Sequence, residues 1–225
     1  MIRSQRLRLM VAVLAAAAPS RVRRVLLTVG LGYEIASDAR VGRSIIAVDK
    51  LVMGSGASIG SLCLIRQCER VELGEQARIG FLVWVNSVAR SKGYFDGQRR
   101  ELRLTLGDRA VITCLHLVDC CDHVDIGALS TVAGFGSQIL THSIDVAEGR
   151  QVARPVRIGE RVFVGTGAVI VGGAVVADRA VVGAGSVVHG HLAEESTLYA
   201  GVPAIRRRSL DPSSRYFTRA EALVR

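Results

Sequence analysis

Five histidines, His116, His123, His142, His189 and His191, are the side chains of this chain best suited to exchange a proton near neutral pH. His142 stands out by its setting. In Thr141-His142-Ser143-Ile144-Asp145 a carboxylate follows close behind the imidazole, and a histidine near an acid is the simplest general base. The cysteines are also five: Cys63, Cys68, Cys114, Cys120 and Cys121. Adjacent Cys120 and Cys121 invite a nucleophilic role. The number is odd, however, and no CxxC spacing occurs, so the set reads as free, mostly buried thiols in a reducing compartment, with Cys120 and Cys121 alternating in and out along one strand.

A six-residue repeat must position these groups. Ile158, Val164, Ile170, Val176, Val182 and Val188 follow one another at that spacing, and Gly159, Gly165, Ala177 and Gly183 stand directly behind four of them. Neither a helix nor a long strand has this period; a solenoid of short strands and tight corners does. The spacing extends upstream through Val41, Ala47, Met53, Ile59, Ile65 and Val71. It resumes after a two-residue slip at Leu73, Ile79 and Val85, again at Leu106, Ile112 and Val118, and after another slip at Ile126, Val132 and Gln138. Glycine and alanine are expected where stacked corners leave no room for side chains. Residues 87–104 and 141–155 break the pattern and should leave the stack as surface loops, where binding residues concentrate. His142 lies in the second of them.

Of the 225 residues, 49% are apolar but only 4% aromatic, which suits a narrow interior of Val, Ile, Leu and Ala. The net charge is +9. Lys50 and Lys92 are the only lysines, and arginines cluster at the ends: Arg3, Arg6, Arg8, Arg21, Arg23 and Arg24 precede the first acid, Glu34. Basic residues interleaved with aromatics, as nucleic-acid binding requires, do not occur along the repeats. Residues 1–18 run from basic to apolar to alanine-rich, as in a secretory leader. A retained amphipathic helix is the preferred reading, followed by a second helix from an N-cap at Ser20 over Val22 to about Leu31. No apolar stretch reaches the roughly 18–20 residues that span a bilayer, though a basic, apolar helical pair suits an anionic membrane surface. The organisation expected is a helical segment at 1–35, a solenoid at 36–204 and an extension at 205–225, whose end from Ser213 is either a helix on the last coil or a free tail.

The stretches Thr141-His142-Ser143-Ile144-Asp145, Arg154-Pro155-Val156-Arg157-Ile158-Gly159, Val162-Phe163-Val164-Gly165-Thr166-Gly167 and Ala200-Gly201-Val202-Pro203-Ala204 resemble the hexapeptide-repeat acyltransferases. The similarity is to the maltose/galactoside O-acetyltransferase and polysaccharide-associated branches. The resemblance implies an all-β fold, a left-handed parallel β-helix, and a homotrimer with active sites between subunits. It implies acetyl-CoA as donor, no metal, and a small-molecule or lipid-linked sugar hydroxyl as acceptor. It also implies His142 as the base of a direct ternary-complex reaction without an acyl-enzyme. His116, Asp119 and Asp145 would then face the acceptor. Gly165, Thr166, Ala184, Gly185, His189, Gly190 and Arg206 would hold coenzyme A. Departures fall on the donor side: His189-Gly190-His191 stands where relatives carry Thr-Lys-Asp, and Ile205 where they carry a cation, leaving Arg206 to reach the 3′-phosphate. Such a donor and the free thiols place the chain in the cytoplasm, peripheral to the inner membrane if the N-terminal helices dock there. Two alternatives stay open: a non-catalytic trimeric scaffold, and a zinc enzyme of the carbonic-anhydrase kind using His116, His123 and His142.

Overall fold

The computed structural model describes residues 4–95 and 97–222; Arg3, singled out above, lies outside them. Short strands wind into a three-sided prism. Face A carries eight parallel strands, from Glu34–Ile35 to His191–Leu192. Face B carries eight parallel strands, from Arg40–Val41 to Thr197–Ala200, and an antiparallel ninth. Face C carries seven, from Ile45–Ala47 to Val187–Val188. The hexad explains this: Ile158, Val164 and Ile170 fall on faces A, B and C in turn, and Val176, Val182 and Val188 repeat the order. One coil is therefore eighteen residues here, as the pairing of Val164 with Val182 shows.

The two-residue slips are now intelligible. Val71 and Leu73 are both buried on one strand, Arg70–Leu73, and adding two residues to a strand leaves the same side facing inward. At Ala47 and Gln138 the structure departs from the expected positions. Their neighbours Ile46 and Ile139 fill the core instead, while Ala47 and Gln138 point outward. The corners differ too. Gly60 and Gly80 are compulsory: a Cβ on Gly80 would lie 1.7 Å from the Thr113 carbonyl oxygen. Yet Leu62, Leu82 and Leu115, at the B–C corner of successive coils, adopt left-handed φ of 62°, 56° and 56° with exposed side chains. Large residues are tolerated at a corner when they point away from the stack.

Helix α1 (Gln5–Ala17) is capped by Ser4, and helix α2 (Ser20–Val25) runs into a wider turn at Leu26–Gly30. Ser20 is already helical; Pro19 holds the N-cap position, without a side-chain bond. Ala12, Ala15, Leu27 and Leu31 join the core of the first coil. Arg23 fastens the pair by donating to the carbonyls of Ala15, Ala18 and Val41. No helix among the described residues is long and apolar enough to cross a membrane. At the other end Ile205–Ser209 adds antiparallel to Thr197–Ala200. Helix α3 (Arg215–Thr218) folds back over the coils, with Tyr216 edge-on to Phe163 and bonded to the Val162 carbonyl.

Candidate active site at His142

The segment 141–155 is not an irregular loop. It is an antiparallel hairpin, His142–Asp145 against Arg150–Ala153, that leaves the prism where face C turns toward face A. Face C delivers Asp119 to that corner at the end of Leu117–Asp119, paired in register with Leu140 one coil on. One carboxylate oxygen, Asp119 Oδ2, accepts from the backbone amides of Thr141 and His142 at 2.9 and 3.0 Å, and lies 2.8 Å from the Thr141 hydroxyl. It also accepts a hydrogen bond from His142 Nδ1–H at 2.7 Å. Cys121 N donates to Oδ1 at 3.3 Å.

This arrangement defines the tautomer. With Nδ1–H committed to Asp119, Nε2 keeps a free lone pair on a side chain that is 39% exposed, while the Asp119 side chain is 8% exposed. The hydrogen bond that His142 donates to Asp119 raises the His142 pKa, against burial and the positive charge of Arg100. Burial pushes the Asp119 pKa up, but the bonds from His142, Cys121 and Thr141 prevail and hold it below the usual value.

The 87–104 insertion supplies the opposite wall. Phe95 is buried and meets the His142 ring edge-on at 6.2 Å between centroids. Arg100 stacks 3.9 Å over Phe95 and donates to the Cys121 carbonyl at 2.9 Å. Gln98 bridges the insertion to the hairpin through the Gln151 carbonyl and the Ala153 amide. Tyr94 is exposed.

The other expected site residues sort by place. His116 is buried one corner away. Its Nδ1 accepts from Ser137 N at 3.1 Å and its Nε2 meets the Thr113 hydroxyl at 2.9 Å; burial lowers its pKa. Asp145 caps the hairpin turn, accepting from the amides of Ala147 and Glu148. His189 and Gly190 follow the last strand of face C and share the corner of His142. Gly165, Thr166, Ala184 and Gly185 precede the last two strands of face C and stand at its far edge, a three-residue strand or about 10 Å away. Thr166 is tied to Phe135 through both backbone groups. Arg206 sits on the antiparallel edge strand of face B, paired with Glu194 at 2.8 Å.

Cys120 and Cys121 both lie beyond the strand end and both are buried, so they do not alternate in and out. Burial and the Asp119 carboxylate push the Cys121 thiol up to about 12, and a thiol so placed stays protonated. Asp119, Cys121 and His142 offer ligand atoms within 4.8 Å of one another, the one such cluster among the described residues. It excludes His116 and His123, and its carboxylate oxygen is already shared among Thr141 and His142 donors. Two cavities of about 360 Å³ each lie beside the N-terminal helices, and neither is lined by His142. The His142 side chain is instead partly open to the surface. Sequence reasoning missed Arg100 at this corner, since nothing in the local pattern aims an irregular insertion at a residue some forty positions away.

Residues 155–190 match the family model described as bacterial transferase hexapeptide (six repeats). No curated protein matches the chain. Among solved structures, a mutant of AntD, an N-acyltransferase from Bacillus cereus in complex with dTDP-4-amino-4,6-dideoxyglucose and coenzyme A, is 14% identical. It covers 84% of this chain and 89% of its own, with a TM-score of 0.54. A hexapeptide-repeat-containing acetyltransferase from Vibrio cholerae, complexed with acetyl coenzyme A, is 19% identical over 92% of this chain and 87% of its own, with a TM-score of 0.47. The polysialic acid O-acetyltransferase OatWY is 18% identical over 79% and 84%, with a TM-score of 0.43. Residues 155–190 thus carry the bacterial transferase hexapeptide repeat, and the chain has the left-handed β-helix fold of the hexapeptide-repeat acyltransferases.

Proposed function

We propose that this chain is an acyl-CoA-dependent acyltransferase that moves an acetyl group to a hydroxyl of a sugar or glycan precursor. The observation that carries this reading is the pair His142 Nδ1–Asp119 Oδ2 at 2.7 Å, with Nε2 free at an open corner. His142 Nε2 takes the hydroxyl proton as the oxygen attacks the thioester carbonyl. Backbone amides steady the oxyanion. The tetrahedral intermediate collapses, the C–S bond breaks, and the imidazolium returns its proton to the departing thiolate of coenzyme A. Asp119 orients the imidazole and balances its transient charge, a role distinct from contact with the acceptor. The protonated thiol of Cys121 supports direct transfer over an acyl-enzyme.

The active unit in this reading is a homotrimer. Face C and its B–C corner expose Leu62, Phe81, Leu82, Trp84, Leu115 and Phe135 at 40 to 67%, and exposed apolar residues gathered on one face suit an interaction surface. His142 and the donor positions Thr166 and Ala184 flank that face on opposite edges. Packing face C against a second copy therefore brings one protomer's base toward the other's donor corner. Donor use and free thiols suit the cytoplasm.

The test is release of the coenzyme A thiol from acetyl-CoA against a panel of sugars, nucleotide sugars and dTDP-4-amino-4,6-dideoxyglucose, for wild type and His142→Ala. Turnover lost by about 10²–10⁴ in the variant, with coenzyme A still bound, is the expected result. Acetylation of the amino sugar alone would replace the hydroxyl by an amine. Unchanged turnover in His142→Ala sinks the assignment of the base. Failure of both proteins to bind coenzyme A would leave a scaffold.

A further inference from the structure

The N-terminal helices are turned inside out. On α1 the face toward the solenoid carries Arg8, Ala12 and Ala15, all buried. The long apolar side chains point the other way. Leu7, Met10 and Leu14 recur at helical spacing on the outer face, and Val22, Val25 and Val29 continue it along α2 and the turn beyond; the six are 48 to 79% exposed. Burying alanines while exposing leucine and methionine forfeits hydrophobic stabilisation within this chain. That surface is accounted for if something covers it.

Charge identifies what covers it. Residues 1–33 contain six arginines and no acid. Arg23 and Arg24 serve inward, on the carbonyls of Ala15, Val41, Ile35 and Ala36, and Arg8 pairs with Asp49. Arg6 and Arg21 are exposed beside the apolar row. A second copy of this face would bring like charges together, whereas an anionic lipid surface answers both features at once. The helices are too short to span a bilayer; an apolar face rimmed by arginine lies in the interface instead.

We propose that the outer face of α1, α2 and the turn at Leu26–Gly30 docks on an anionic phospholipid bilayer, holding the solenoid at the membrane surface. The docking stands apart from acyl transfer, and its test reads no activity.

The experiment is co-sedimentation of the full chain with vesicles of phosphatidylcholine alone and of phosphatidylcholine with phosphatidylglycerol. Two variants are compared: Leu14→Glu with Val25→Glu, and Arg6→Gln with Arg21→Gln. Wild type is expected to sediment with the mixed vesicles and to be released by salt. The acidic variant should lose at least about tenfold in partitioning, and the glutamine variant about fivefold per charge removed. All four positions are exposed, so circular dichroism should match wild type, and the glutamine pair keeps the test decisive if the acidic pair perturbs the helices. Equal binding by wild type and variants, or no preference for the anionic vesicles, overturns the proposal. So does a vesicle-free wild type that sediments as a larger particle than the Leu14→Glu, Val25→Glu variant, because the occupant would then be a second copy.

Discussion

At the scale of single residues, the site turns on Asp119 as much as on His142. The carboxylate gathers the amides of Thr141 and His142 and the imidazole Nδ1 on one oxygen, which holds the ring and leaves Nε2 as the working atom. Asp119→Asn should therefore lower kcat by about 10²–10⁴, as loss of an orienting carboxylate does elsewhere. It should also move the acid limb of the pH–rate profile to lower pH, because the raised pKa of His142 depends on Asp119. A pH–rate profile of both proteins checks this, and an acid limb that stays in place refutes it. The same pair links stability to pH. The lowered pKa of Asp119 contributes stability above the unfolded carboxylate value of about 4, lost as pH falls through the folded value. The raised pKa of His142 contributes below its unfolded value of about 6.5, lost as pH rises through the folded value. Thermal melts across that window should be flatter for Asp119→Asn than for wild type.

At the scale of elements, the corners decide which changes are tolerated. Gly80 lies where a Cβ would strike the Thr113 carbonyl, so Gly80→Ala should cost at least about 1–3 kcal/mol in a denaturant melt. Leu82, two residues on and exposed at left-handed φ, should accept glycine with little loss of stability or a small gain. Equal destabilisation at both positions would contradict this account of the corners. Strand positions were legible in advance because the hexad is a spacing rule that every coil obeys. The errors at Ala47 and Gln138 came from counting through a coil of irregular length, where burial is resolved by Ile46 and Ile139. Only hydrogen-bond register shows 141–155 as a hairpin, since its residues lack the hexad and face solvent on both sides.

At the scale of the whole molecule, one exposed apolar surface is assigned to self-association and another to lipid. Trp84 stands on face C between Leu64 and Leu117 of adjoining coils, half exposed. Trp84→Glu should shift sedimentation from trimer toward monomer and reduce acyl transfer about in proportion, while the wild-type circular dichroism spectrum persists. A monomeric wild type of full activity would refute the shared site.

The sequence by itself determined the solenoid, its apolar core columns and the candidacy of His142, because a repeat is local information copied from coil to coil and a motif is contiguous. Tertiary structure alone decided that Asp119, twenty-three residues earlier, is the partner of that histidine. It also decided that Phe95 and Arg100 line the same corner, that His116 is sealed by Ser137 and Thr113, and that α1 shows its leucines to the outside. The physical reason is common to the first three. Stacking sets which residues become neighbours across coils, and insertions of unequal length between coils erase that adjacency from the linear order of the chain.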